Sequence, residues 1–259
     1  MSKLIPQNSI EGVLRCARYA FMPNYFAYCG PDKNKALFEY CSQNYFEPTL
    51  QNILSEFEVM HPYLKLIARE NRIKDEFDPE VVEAYWLGNN LIENVQIKKL
   101  YRHFTEDKNL KAKLPTSVAE KVLGLAPQMT KPHHNFHVMN IWLRAGKVNI
   151  MHTLKSIDEC RISWGKIKKI KKSSILVDYK PLIIKDDKIT LGDTLEREVL
   201  TQFADKGFVK DLKIGDIVTI HWGWVCEVIN NSQLNNLQKY TQESLNIFNE
   251  QGKEFIWGG

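Results

Sequence analysis

The chain has 259 residues, 44% of them hydrophobic and 25% charged, with a net charge of +4. That mixture is ordinary for a globular protein and excludes disorder as the default, while the length leaves room for two domains. The charge excess is too mild to demand a nucleic-acid partner, no segment approaches the ~18 apolar residues of a membrane span, and the opening MSKLIPQNSIEGVLRCARYA has no signal-peptide run, so a cytoplasmic protein without a membrane partner is expected.

Residues 1–130 have a helical rhythm. SIEGVLRCARYAF starts at a capping-type Ser9 and places Ile10, Val13, Leu14 and Ala17 on one face. PDKNKALFEYCSQ follows a Gly30-Pro31 turn, with Asp32 as its cap. EPTLQNILSEFEVM and HPYLKLIARENRI carry Pro48 and Pro62 near their starts. DPEVVEAYWLGNNLIENV has Asp78 as cap and Pro79 in the first position, and Tyr85 and Trp86 read as core. SVAEKVLGL is a shorter helix. Residues 131–157 form a bridging segment of uncertain structure. From residue 158 the pattern alternates like strands: CRISWGKIKKI, SSILVDYKPLII, LEREVLTQF and GDIVTIHWGWVCEVI, the last interrupted at Gly223. NSQLNNLQKYTQESLNIFNEQ closes the chain as an amphipathic helix. The expected fold class is α+β: an all-helical domain over 1–130, then, over 158–259, a small OB-like β-barrel with a C-terminal helix.

Cysteine and histidine mark the candidate chemistry. The five cysteines, Cys16, Cys29, Cys41, Cys160 and Cys226, are odd in number and widely spaced, which suits free thiols and metal ligands rather than a disulfide framework. Three of the seven histidines fall in HHNFHV. His133 and His137 share a face in either a helix or a strand, so His133, His134 and His137 are candidate ligands. Cys29 lies just before a helix start, where a thiol's pKa falls. Cys16, Cys41 and Cys226 read as core. The lysines of KIKKIKK (166–172) read as a solvated strand edge rather than a nucleic-acid surface, because no aromatic residues are interleaved with them.

Two blocks of the second half resemble the HypC/HupF chaperones of nickel–iron hydrogenase maturation. In CRISWGKI, Cys160 is followed by Gly165, Lys166 and Ile167. In GDIVTIHWGWVCE, Gly215 and Asp216 precede His221, Gly223 and Glu227, and a C-terminal helix then follows. The resemblance covers residues 158 to about 250. It implies an OB-like barrel in which Cys160 and His221 flank an iron site. Trp222 and Trp224 read as packing against the helical domain or the trailing helix, and are also candidates for binding a maturation protein or hydrogenase subunit. The chain departs from that pattern in carrying 159 residues before Cys160. The landmarks RCARYA, YCGPD and HNFHV resemble an uncharacterised family. The expectation is thus a metallocentre-assembly accessory protein that handles iron through Cys160 and His221. Its rivals are a metal-dependent enzyme using Cys29, His133, His134 and His137 between the domains, and a nucleic-acid-binding OB-like module.

Overall fold

The computed structural model describes residues 7–96, 131–142 and 153–251. Five helices fill the first stretch: α1 (Gln7–Tyr25), α2 (Asn34–Gln43), α3 (Pro48–Ser55), α4 (Met60–Glu70) and α5 (Pro79–Trp86). Pro48 opens α3. Pro79 opens α5 behind Asp78, whose carboxylate accepts from the Glu80 N–H at 2.9 Å. A proline at this position loses no hydrogen bond, because the first N–H groups of a helix have no intrahelical partner.

Other starts differ from expectation. α1 begins at Gln7, so Ser9 lies inside it. α2 has no side-chain cap, and Asp32 instead accepts from the Asn34 side-chain amide at 3.3 Å. The helix expected to run from Asp78 to Val95 stops at Trp86. Gly88 takes φ +89°, a left-handed conformation that ends the α-helix, and Asn89 caps a short 3-10 turn over Asn90–Ile92. SVAEKVLGL and the final EFIWGG lie outside the described residues.

In the bridge, a short helix α6 (His134–Phe136) runs on as a π-helical stretch, His137–Trp142. Helix α7 (Leu154–Cys160) opens with a reciprocal Thr153–Ser156 capping box. Cys160 therefore ends a helix rather than beginning a strand. The strand pattern read from residue 158 starts only at β1 (Ser163–Ile170).

Eight further strands follow: β2 (Ser174–Tyr179), β3 (Leu182–Lys185), β4 (Lys188–Leu191), β5 (Leu195–Leu200), β6 (Gln202–Phe203), β7 (Lys206–Gly207), β8 (Ile217–His221) and β9 (Trp224–Ile229). Helix α8 (Asn231–Gln251) comes last. SSILVDYKPLII splits into β2 and β3 at Lys180-Pro181, since proline cannot donate to a ladder. Strands pair in the order β1-β2-β5-β9-β8, and β8 returns to β1, so the sheet closes on itself. β5 and β9 run parallel at Leu200–Trp224; the other pairs in the ring are antiparallel. The hairpins β3–β4 and β6–β7 stand outside this ring. The molecule is thus a mixed α+β protein: helices, then a sheet-rich region, then a closing helix. Among the described residues no helix is long and apolar enough to cross a membrane.

Helices and sheet share one core. A single buried cluster runs from Val13, Tyr19 and Phe21 of α1 through Trp86 of α5 to Trp224, Cys226 and Ile229 of β9 and Leu237 of α8. A smaller cluster, including Ile167, Val177, Val218 and Val225, fills the closed sheet. Trp224 is fully buried, with Phe21, Phe203 and Phe208 at ring-centroid distances of 5.6, 4.7 and 5.0 Å. It packs against the helical part, as its apolar character suggests, and cannot meet a partner, which corrects its place among the partner-binding candidates: the first residue of β9 faces the helices, not solvent.

Close approach within this core depends on Gly12. A Cβ there would lie 1.8 Å from the Phe77 carbonyl oxygen. Gly12→Ala is expected to lower stability by a net ~2 kcal/mol, about 3 from forcing α1 off that backbone less about 1 regained in helix propensity. Urea denaturation of the two proteins checks it, and an unchanged midpoint would refute the contact.

Candidate metal centre at the seam of helices and sheet

Four backbone-anchored links assemble the site. Asn135 Nδ2 donates to the Ile162 carbonyl (2.9 Å), and Asn135 Oδ1 accepts from the Ile162 N–H (2.7 Å). This two-way clamp fixes α6 beside the end of α7. His134 Nε2 lies 2.9 Å from the Cys160 carbonyl. The Trp222 N–H donates to the Glu159 carbonyl at 2.8 Å, which draws the β8–β9 turn to the same place. That turn uses left-handed Trp222 (φ +52°) and Gly223 (φ +71°), the pattern of a two-residue type I′ hairpin. Finally, His221 Nδ1 lies 2.7 Å from the Tyr19 carbonyl in α1.

Donor atoms of His134, Cys160 and His221 consequently lie within 4.8 Å of one another, and all three residues are buried. The hydrogen bonds define the tautomers. A carbonyl only accepts, so His134 Nε2 carries a proton and its Nδ1 accepts from the Tyr85 hydroxyl at 3.2 Å. By the same logic His221 is protonated on Nδ1. Its Nε2 lone pair is buried and has no hydrogen-bond partner among the described residues. A buried polar atom without a partner is costly unless something occupies it.

Burial keeps the cluster neutral. It pulls His221 down to about 4, against the opposing effects of the Tyr19 and Cys160 backbone. Burial, joined by the neighbouring His221, holds His134 well below the ordinary histidine range. Burial also pushes the Cys160 thiol up, while the Trp222 indole acts in the other direction. At neutral pH His221 thus presents a free lone pair, while the single lone pair of His134, on Nδ1, is taken by the Tyr85 hydroxyl. The Cys160 thiol stays protonated by itself and must give up its proton to ligate a metal.

The cluster opens into a cavity of about 70 Å³, room for more than one water-sized guest. Its walls come from both halves of the chain: Pro23, Phe57 and Tyr85 from the helical part, Val138 from the bridge, and His221 from the sheet. Cys29 and His137 also line it. His137 Nδ1 bonds the Tyr63 hydroxyl at 3.1 Å.

His133 is placed elsewhere. Its Nδ1 accepts from the Asn135 N–H as the cap of α6, and its ring stacks on Tyr240 at 5.4 Å. The capping geometry that positions His134 turns His133 away from the cavity, which corrects its place among the ligands. Cys16 packs against Met60 with a sulfur–sulfur distance of 3.2 Å, and Cys41 and Cys226 are core. Three lysines of KIKKIKK have carboxylate partners: Lys168 with Asp178, Lys171 with Glu198 and Lys172 with Asp205. Trp222 is half-buried and stacks on Tyr28 at 4.3 Å.

Tyr19 and Asn135 fall within the landmarks RCARYA and HNFHV without being singled out there, and Tyr63, Tyr85 and Trp86 belong to the site but carry no motif that marks them. The only sequence signal is the proximity of Tyr85-Trp86 to Gly88, which ends α5 beside the cavity.

The fold and cavity define an α+β protein with a buried, neutral Cys/His cluster where its helices meet its sheet. By sequence the chain belongs to a family of unknown function (DUF6390), whose model matches residues 8–254. No curated protein and no solved structure matches it.

Proposed function

We propose that this protein is a metallocentre-assembly accessory protein that holds iron as cargo on Cys160, His134 and His221. The carrying observation is the convergence of one sulfur and two imidazole donors within 4.8 Å, one of them the partnerless His221 Nε2. Sulfur with imidazole suits iron and its neighbours in the first transition series, and three protein donors leave room for a ligand that travels with the metal or belongs to its acceptor. The hydrogenase-maturation reading rests on the matching positions of Cys160, Gly165, Gly215, His221 and Glu227. It draws support from the strand order, a five-stranded closed ring with one parallel pair that fits an OB-like barrel. On that reading the partner is a maturation protein or hydrogenase subunit. A second reading, a metal-dependent enzyme, is favoured by one observation: the cavity is walled by both halves, as sites at domain seams commonly are.

The test is anaerobic purification followed by elemental analysis of the parent, Cys160→Ala and His221→Ala. The parent is expected to retain close to one equivalent of iron. Each variant should lose at least about 99% of that affinity, with unfolding midpoints measured alongside. Retention by Cys160→Ala equal to the parent's would end the proposal. Turnover of a small molecule by the iron-loaded parent would favour the enzyme.

A further inference from the structure

The cavity holds two thiols at different depths. Most of its walls are buried, and only Tyr28, Cys29 and Val59 among them keep partial exposure. The cavity therefore meets solvent at this corner. Cys29 stands at the mouth. Cys160, His134 and His221 stand at the bottom, at 9%, 8% and 1% exposure.

The mouth is a built feature. The Cys29 carbonyl accepts from Asn24 Nδ2 at 2.8 Å, and Gly30 follows at φ +80°, where a Cβ would meet the Phe57 ring at 2.4 Å. Only glycine lets the chain press Cys29 this close to the wall. Beside it the stacked Tyr28–Trp222 pair closes the approach. Trp222 also packs on the cluster that contains Cys160, and Phe26, 47% exposed, covers Trp222 from outside with ring centroids 5.8 Å apart. The partnerless His221 Nε2 independently indicates that the inner end takes a ligand.

We propose that Cys29 is the receiving thiol: it captures a divalent metal at the mouth and passes it inward to Cys160. This rests on the metal reading of the cavity and adds the route. Capture forms a sulfur–metal bond at Cys29 Sγ and releases its proton to solvent. In the transfer, Cys160 Sγ bonds the metal as Cys29 Sγ lets go. The proton lost by Cys160 returns to the Cys29 thiolate, and the metal's oxidation state does not change. His221 contributes a neutral lone pair, and His134 contributes one once its Nδ1 gives up the Tyr85 hydroxyl, so neither requires a proton to be lost. The half-buried thiol at the mouth thereby controls the rate of loading, and the buried set controls the affinity.

Two measurements on the full chain test this. In the first, anaerobic parent and Cys29→Ser are mixed with ferrous iron held by a chromophoric chelator, and uptake is followed by stopped flow. Cys29→Ser is expected to load about tenfold more slowly to the same final occupancy. An unchanged rate overturns the relay. Lost occupancy overturns it too, by making Cys29 a permanent ligand. In the second, the metal-free parent is treated with a small haloacetamide. Cys29 is expected to react before Cys160, and the reverse order overturns the placement at the mouth. If Cys29 reacts first but the parent takes up no iron, the metal reading of the cavity fails and takes the relay with it.

Discussion

Replacing Arg15 by Met is expected to cost about 3–5 kcal/mol of stability, the cost of breaking a buried ion network from one side. Arg15 donates from Nε to Glu227 Oε1 at 2.9 Å and from Nη1 to Glu83 Oε2 at 3.0 Å, with its side chain only 10% exposed. Tyr19 donates its hydroxyl to the same Glu227 oxygen at 2.6 Å, and Gln233 Nε2 donates to Glu83 at 2.6 Å. The network thus joins α1, α5, β9 and α8. Without the guanidinium, two carboxylates remain largely out of water with one neutral donor each. Methionine fills much of the volume, so the loss reports charge rather than a cavity. Guanidinium denaturation measures it. Combining Arg15→Met with Glu227→Gln should cost less than the sum of the two single changes, because the second removes a charge the first has stranded. A loss below about 1 kcal/mol would mean that the carboxylates reach solvent or neutralise freely. The network also bears on the site, since the residue that clasps Glu227 through its hydroxyl, Tyr19, holds His221 through its carbonyl.

Stability is expected to fall steeply as the pH drops from 7 to 5. His221 is held at about 4 and His133 at about 3, in both cases chiefly by burial. Both lie below the ordinary histidine value of about 6.5, so below that pH the unfolded chain takes up protons that the folded one refuses. Stability contributed by these groups is therefore intact above about 6.5 and lost on acidification, by about 1.4 kcal/mol per pH unit for each histidine. The loss levels off near pH 4 for His221 and near pH 3 for His133. Between pH 7 and 5 most carboxylates stay ionised, so that window isolates the histidines. Denaturation curves at pH 7, 6 and 5 should show the slope. His134 is held down with them, so His133→Asn, which retains a capping oxygen without a titrating ring, should remove about a third of the slope. A flat profile would mean that all three rings are protonated or solvated in the folded protein.

The broad division of the chain was legible in the sequence because it follows from periodicity. Apolar residues at helical spacing mark α1 to α5, alternation marks the strands, and α8 matches its stretch almost to the residue. Proline placed the starts at Pro48 and Pro79 correctly and Gly223 marked the interruption that proves to be a turn between two strands, since their backbone limits are local. Cys29, His134, His137, Cys160 and His221 were nameable because thiols and clustered histidines are chemically conspicuous.

What sequence could not supply was direction. His133 and His134 are adjacent and chemically identical, yet one caps a helix and the other faces Cys160, because the Asn135 clamp on Ile162 sets the rotation of α6. Trp222 and Trp224 look equivalent in HWGW, but left-handed Trp222 sits in the turn and Trp224 heads a strand whose outer face is covered by Phe21. The neutral state of the cluster and the free lone pair of His221 arise from burial between segments more than a hundred residues apart. Local preferences are written along the chain; desolvation and the pairing of distant donors and acceptors exist only once the helices have closed over the sheet.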